Sequence, residues 1–170
     1  MKKISILFAF CVLAFSNELD YTSLKSDFTQ TVTSGDAKII YKGSFSATDD
    51  NKAVWIYTEP TNKTIYFGQD KVMIVEPDLE QVIVSNLKDS PNLTKILKSA
   101  KKVSNDRYEA TFDGITYKVL LQNSLPSIIT YKDKLDNAVE IKLKNTQKDI
   151  SIDRDDFVPK IPNNYDIVKN

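Results

Sequence analysis

The chain has 170 residues, with 23 basic and 23 acidic side chains, no histidine, one cysteine and four glycines. Without histidine there is no Ser-His-Asp or Cys-His machinery and no imidazole metal site, and Gly35, Gly43, Gly68 and Gly114 lie too far apart for a GxGxxG or GxxxxGK phosphate loop. Balanced charge gives no reason to expect a nucleic-acid partner, and the length suits one domain that buries roughly two-thirds of the surface its unfolded form exposes.

Met1-Lys2-Lys3 is a positively charged start, and the run from Ile4 to Phe15 is apolar apart from Ser5. Ala14 and Ser16 put small residues where a peptidase needs them, so residues 1–16 read as a signal peptide cleaved after Ser16. Phe10 precedes Cys11 where a lipidation site wants a small residue, and the apolar stretch runs on, so Cys11 reads as part of the discarded segment. The run is too short to cross a bilayer core of about 30 Å comfortably, and no second run of ~18 apolar residues follows. Residues 17–170 are therefore expected to be an exported single domain held by its core, without disulfides.

Leu19, Leu24, Phe28 and Val32 recur every four to five residues behind Asn17, a capping residue type, which predicts an amphipathic helix over 17–32. Short runs of β-branched and aromatic residues follow, each closed by turn chemistry: 37–48, 53–58, 63–67, 71–75 and 79–85. Ser90-Pro91 opens a second helix with Leu93, Ile96, Leu97 and Ala100 on one stripe and Lys95, Lys98 and Lys101 off it. Strands resume at 107–112, turn at Asp113-Gly114, return over 115–121 and continue at 127–131 and 138–144. Residues 165–168 form a last strand or a docked extended segment. The spacing is that of a meandering antiparallel sheet.

Val54-Trp55-Ile56-Tyr57, Ile65-Tyr66-Phe67, Val72-Met73-Ile74-Val75 and Val82-Ile83-Val84 are apolar at successive positions, so both faces of the first half of the sheet must be covered. The second half alternates, as in Tyr117-Lys118-Val119 and Ile141-Lys142-Leu143. Such a sheet must curl on itself with helices closing one side. Its interior is either an ordinary core or an apolar cavity for a greasy guest.

No cluster suggests catalysis or a metal. Asp153-Arg154-Asp155-Asp156 lacks the glycine and distant glutamate of an EF-hand loop and reads as a solvated turn. Asp49-Asp50 reads as a turn and not as a carboxylate pair sharing a proton. Lys88, Lys95, Lys98, Lys101 and Lys102 read as a solvated helix face, with approach to anionic lipid surfaces as the alternative. Tyr21, Tyr41, Trp55, Tyr57, Tyr66 and Phe67 suit a core or a ligand box, and more often a core.

The segment Asp27-Phe28-Thr29-Gln30-Thr31-Val32-Thr33 resembles the F-T/S-Q-x-V/F string of the LolA family, periplasmic carriers of outer-membrane lipoproteins. Gly43 precedes Trp55 by the family's spacing, and Thr58-Glu59-Pro60 is similar to the T-x-P that closes that strand. Pro77 with Leu79-Glu80-Gln81-Val82 resembles P-x-x-x-Q-V, Leu87-Lys88-Asp89 leads into a helix, and residues 157–167 resemble the terminal F-x-x-x-x-P-x-G-x-D-V/I. The resemblance spans nearly all of residues 17–170. It implies an α+β, mostly antiparallel fold: an unclosed half β-barrel whose concave apolar side is covered by helices.

It also implies a function without enzymatic activity, catalytic residues, metal or cofactor. A monomeric carrier would receive triacylated lipoproteins from an inner-membrane ABC transporter, shield their acyl chains in the periplasm and pass them to an outer-membrane acceptor. By position Phe28, Val32, Trp55, Tyr57, Phe67 and Met73 look like the acyl-chain cavity, and Leu93, Ile96 and Leu97 like a lid. The family's lid-latching arginine and following proline correspond to Asp49-Asp50, and a carboxylate cannot donate the latching hydrogen bonds. The alternative function on the same fold is a lipid- or lipoprotein-binding envelope sensor or scaffold.

Overall fold

The computed structural model describes residues 18–86 and 93–169. The signal peptide, the cap at Asn17 and the helix start at Ser90-Pro91, with Leu87, Lys88 and Asp89, lie outside the described residues.

The sheet is built from β1 (Ser23–Ser34), β2 (Ala37–Thr48), β3 (Ala53–Glu59), β4 (Lys63–Phe67), β5 (Lys71–Glu76) and β6 (Gln81–Asn86). After α1 (Leu93–Ser99) come β7 (Lys101–Ser104), β8 (Arg107–Phe112), β9 (Ile115–Gln122), β10 (Leu125–Lys132), β11 (Ala138–Lys148) and β12 (Asp166–Lys169). These twelve strands form one open sheet in the order β12-β6-β5-β4-β3-β2-β1-β11-β10-β9-β8-β7. Every pairing is antiparallel except β12 against β6, which is parallel. Among the described residues α1 is the one α-helix, and no helix is long and apolar enough to cross a membrane.

Three expectations are corrected. Residues 23–34 form the central strand β1, not a helix. Leu24, Phe28 and Val32 share a strand face as readily as a helix stripe, since both periods place every fourth residue together. Thr29, Thr31, Val32 and Thr33 favour strand, and pairing with β2 on one side and β11 on the other settles the choice. The concave side is therefore covered by one described helix and not two. Lys101 and Lys102 leave the helix and begin β7, so they are not part of its solvated face.

The core explains the dry faces. On one side Phe28, Phe45, Trp55, Phe67 and Val72 pack with Tyr117, Val119, Ile129 and Ile141 from the far strands and with Leu93, Ile96 and Leu97 of α1. Strands distant in the sheet order share this cluster, so the sheet curls around it. The opposite face of the first half is met by the C-terminal segment. A 3-10 turn at Arg154–Phe157 touches β3, the Lys160 backbone lies by the Tyr66 hydroxyl, and β12 closes onto β6. In that 3-10 turn Asp153 accepts a hydrogen bond from the Asp155 N–H, 3.0 Å, as a capping carboxylate does.

Candidate functional site

Alternation along β1 sends Phe28, Gln30 and Val32 to the concave face, and cross-strand register sets Gly43, Tyr41 and Ile39 beside them. A methyl group on Gly43 would stand 1.9 Å from the Ile56 carbonyl oxygen and 3.0 Å from Phe28 Cε1, so only glycine lets β3 and the Phe28 ring approach this closely. The Phe28 ring meets Trp55 and Tyr57 edge-on at 4.9 and 5.0 Å between centroids, and Phe45 lies 4.8 Å from Trp55. These contacts make one wall of aromatic rings.

Between this wall and the far strands a cavity of about 230 Å³ remains. Trp55, Tyr57, Ile65, Phe67, Val72 and Ile74 line it from one side. Tyr117, Tyr131 and Ile141 face them, Leu93 and Ile96 of α1 cover it, and Gln30 enters from β1. The interior is thus largely core, with a gap under the helix. Ala100 N–H closes the helix end onto the Leu97 carbonyl at 3.1 Å, and Lys98 Nζ lies 5.5 Å from the Tyr21 ring.

The lining is neutral. Burial pushes the Tyr57 hydroxyl well above its ordinary pKa, with Tyr131 and Tyr41 adding to the effect, and burial together with Tyr117 and Asp133 pushes Tyr131 up to about 12. The Tyr57 hydroxyl donates to Gln30 Oε1 at 3.1 Å, and Lys63 Nζ sits 4.6 Å from the Tyr57 ring. Such a site can hold hydrocarbon. A larger hollow of about 900 Å³ is lined by Thr31, Thr33, Lys38, Lys118, Thr130 and Glu140 among others. Ile115, Tyr131 and Val139 line it too, so its walls mix apolar surface with charged and hydroxyl-bearing groups.

Trp55, Tyr57, Phe67, Leu93 and Ile96 thus lie together at the cavity. Phe28 stands behind Trp55 and Tyr57, Val32 is partly buried further along β1, and Leu97 is fully buried beneath the helix. Met73 is a correction: Val72 and Ile74 line the cavity, and the two-residue period turns Met73 to the other face. Sequence reasoning missed Gln30, Ile65, Val72, Ile74, Tyr117, Tyr131 and Ile141. A strand reading of 23–34 would have placed Gln30 between Phe28 and Val32.

Residues 20–113 match the family described as Outer membrane lipoprotein carrier protein LolA. An outer-membrane lipoprotein carrier protein from Campylobacter jejuni is 40% identical over 168 residues, covering 99% of each chain.

The chain belongs to the LolA family.

A second relative, an outer-membrane lipoprotein carrier protein from Wolinella succinogenes, is 33% identical over 95% of each chain. A crystal structure of a LolA superfamily protein from Nitrosomonas europaea has the same fold, with a TM-score of 0.53 at 11% identity over 82% of this chain and 91% of that one. This LolA-family member has Asp49 and Asp50 in the β2–β3 turn, where the Asp49 N–H bonds the Thr22 carbonyl at 2.8 Å. The Thr48 hydroxyl bonds the Asp50 carboxylate, and Lys52 Nζ lies 3.1 Å from it. The Thr48 bond, aided by Lys52, holds Asp50 below the usual carboxylate range. The Asp50 carboxylate is thus committed to its own turn, and Asp49 is tied there through its backbone N–H.

Proposed function

We propose that this LolA-family chain is a periplasmic chaperone that carries lipoproteins by their acyl chains between the two membranes. The observation that carries the reading is the apolar gap between the aromatic wall and α1. Each methylene withdrawn from water is worth roughly 0.8 kcal/mol, so triacylated cargo needs an enclosing apolar surface to cross an aqueous compartment.

At about 230 Å³ the gap is smaller than the roughly 300–1,000 Å³ of ordinary ligand sites. Three acyl chains enter only if α1 and its neighbours move outward. Leu93, Ile96 and Leu97 then act as a lid and Phe28, Val32, Trp55, Tyr57 and Phe67 as the exposed wall. Repacking of the emptied wall by the lid offsets part of the cargo's burial energy, which keeps binding weak enough for release. The protein acts as a monomer, takes cargo from an inner-membrane ABC transporter and yields it to an outer-membrane acceptor. It makes and breaks no covalent bond.

The test is release of a radiolabelled triacylated lipoprotein from inner-membrane vesicles containing the transporter, with and without ATP. ATP-dependent recovery of a soluble complex is expected. Binding of lipopeptide without release from vesicles would instead establish the sensor reading.

A further inference from the structure

Gln30 is the polar intruder in the apolar cavity. Its Oε1 accepts the Tyr57 hydroxyl at 3.1 Å, and no protein group among the described residues takes a hydrogen bond from its Nε2. Tyr57 is itself held by the Phe28 ring at 5.0 Å and the Trp55 ring at 6.4 Å, so the amide is oriented by a fixed partner and its two N–H donors are left to the cavity. Gln30 is partly buried, so its amide N–H groups face the cavity mouth with water still within reach, and orienting Tyr57 needs only the oxygen.

We propose that Gln30 is the headgroup anchor of the cavity: its Nε2 donates a hydrogen bond to an acyl carbonyl oxygen of the cargo's lipid moiety. The inference rests on the carrier reading of the same cavity. An acyl chain that enters apolar surroundings brings its ester or amide carbonyl with it, and that acceptor loses its water at the point where the chain begins. A single donor on the central strand satisfies it and fixes where the headgroup sits, with the hydrocarbon running on toward Trp55, Phe67 and α1. Specificity for acylated cargo over plain hydrocarbon follows from one side chain.

The test titrates the whole protein and its Gln30→Met variant, which keeps length and removes the donor, with Gln30→Leu as a second variant and thermal melts to verify folding. The probes are diphenylhexatriene, which has no acceptor, a synthetic triacylated cysteinyl peptide, and its analogue with ether links at the glyceryl positions. Loss of the hydrogen bond should weaken triacylated peptide by about 3- to 10-fold, while diphenylhexatriene binds more tightly, by up to about threefold. If the anchored carbonyl is an ester, the wild-type protein also binds the ether analogue about 3- to 10-fold more weakly and the variants lose this discrimination. If it is the amide, the variants weaken both peptides alike. Equal affinity of wild type and variants for triacylated peptide, or parallel loss of peptide and hydrocarbon, overturns the inference and leaves the carrier reading standing. A wild-type protein that binds none of the three probes overturns both.

Discussion

Gly43→Ala should be among the most damaging substitutions of a small residue in this protein. The added methyl group would meet the Ile56 carbonyl oxygen at 1.9 Å, against the 3.4 Å at which ordinary contact begins, and that oxygen belongs to backbone. The β2–β3 register is already irregular between Lys42 and Gly43, so separation must come from parting the strands. Overpacking costs about 1–3 kcal/mol and each disrupted backbone hydrogen bond about 1 kcal/mol, giving about 3 kcal/mol or more in all. For a chain of this size that lowers Tm by about 6–12 °C. Circular-dichroism melts and urea titrations of Gly43→Ala beside Gly68→Ala make the comparison, because a methyl on Gly68 would meet the Lys71 carbonyl only at 3.4 Å. Gly68→Ala should stay within about 1 kcal/mol of wild type. Adding Phe28→Ala should not rescue Gly43→Ala, since the ring is the more distant obstacle at 3.0 Å. Full rescue, or equal stability of the two alanine variants, would refute the backbone collision.

Ile74→Trp places an indole in the gap of about 230 Å³, so uptake of an acyl-chain probe should fall about tenfold or more while the melting temperature changes little. Leu93→Glu puts a carboxylate where a buried apolar side chain covers the cavity, and fluorescence titration should show uptake largely abolished. Uptake should be flat between pH 6 and 9, because the chain has no histidine and burial keeps Tyr57 and Tyr131 protonated there. Acid should act on stability instead. The Thr22 N–H holds Asp149, and the Asn137 side chain holds Asp133, below the unfolded carboxylate value of about 3.9. Their contribution is present above that value and is lost as pH falls through their lower folded values, so Asp149→Asn should flatten the acid limb of a stability–pH curve.

What could be read from the chain alone follows the strength of local signals. Strands 37–48, 63–67 and 107–112 have the expected bounds because turn residues close them, as at Asp113 and Gly114 with φ of 50° and 76°. The segment of β1 reads equally as helix or strand because Leu24, Phe28 and Val32 fit both periods, and only its two neighbours decide between them. A helical reading conceals Gln30, which reaches the cavity because it shares a strand face with Phe28. Met73 and its neighbours Val72 and Ile74 are alike in hydrophobicity, so a strand dry on both sides does not announce which residues face inward. Tyr117, Tyr131 and Ile141 join the site only through curling of the sheet, a long-range property. The parallel docking of β12 likewise depends on the path of residues 149–165 and not on its own four residues.

An unclosed barrel has two free margins, and here each is formed by a four-residue strand, β7 and β12. Lys101 and Lys102 occupy one and Lys169 the other. Long bare margins would recruit other copies into an endless ribbon, whereas short ones that carry charged residues give an approaching chain little to zip onto. The shape that leaves room for a guest therefore offers little rim for another chain to extend, because its rims stop almost as soon as they begin.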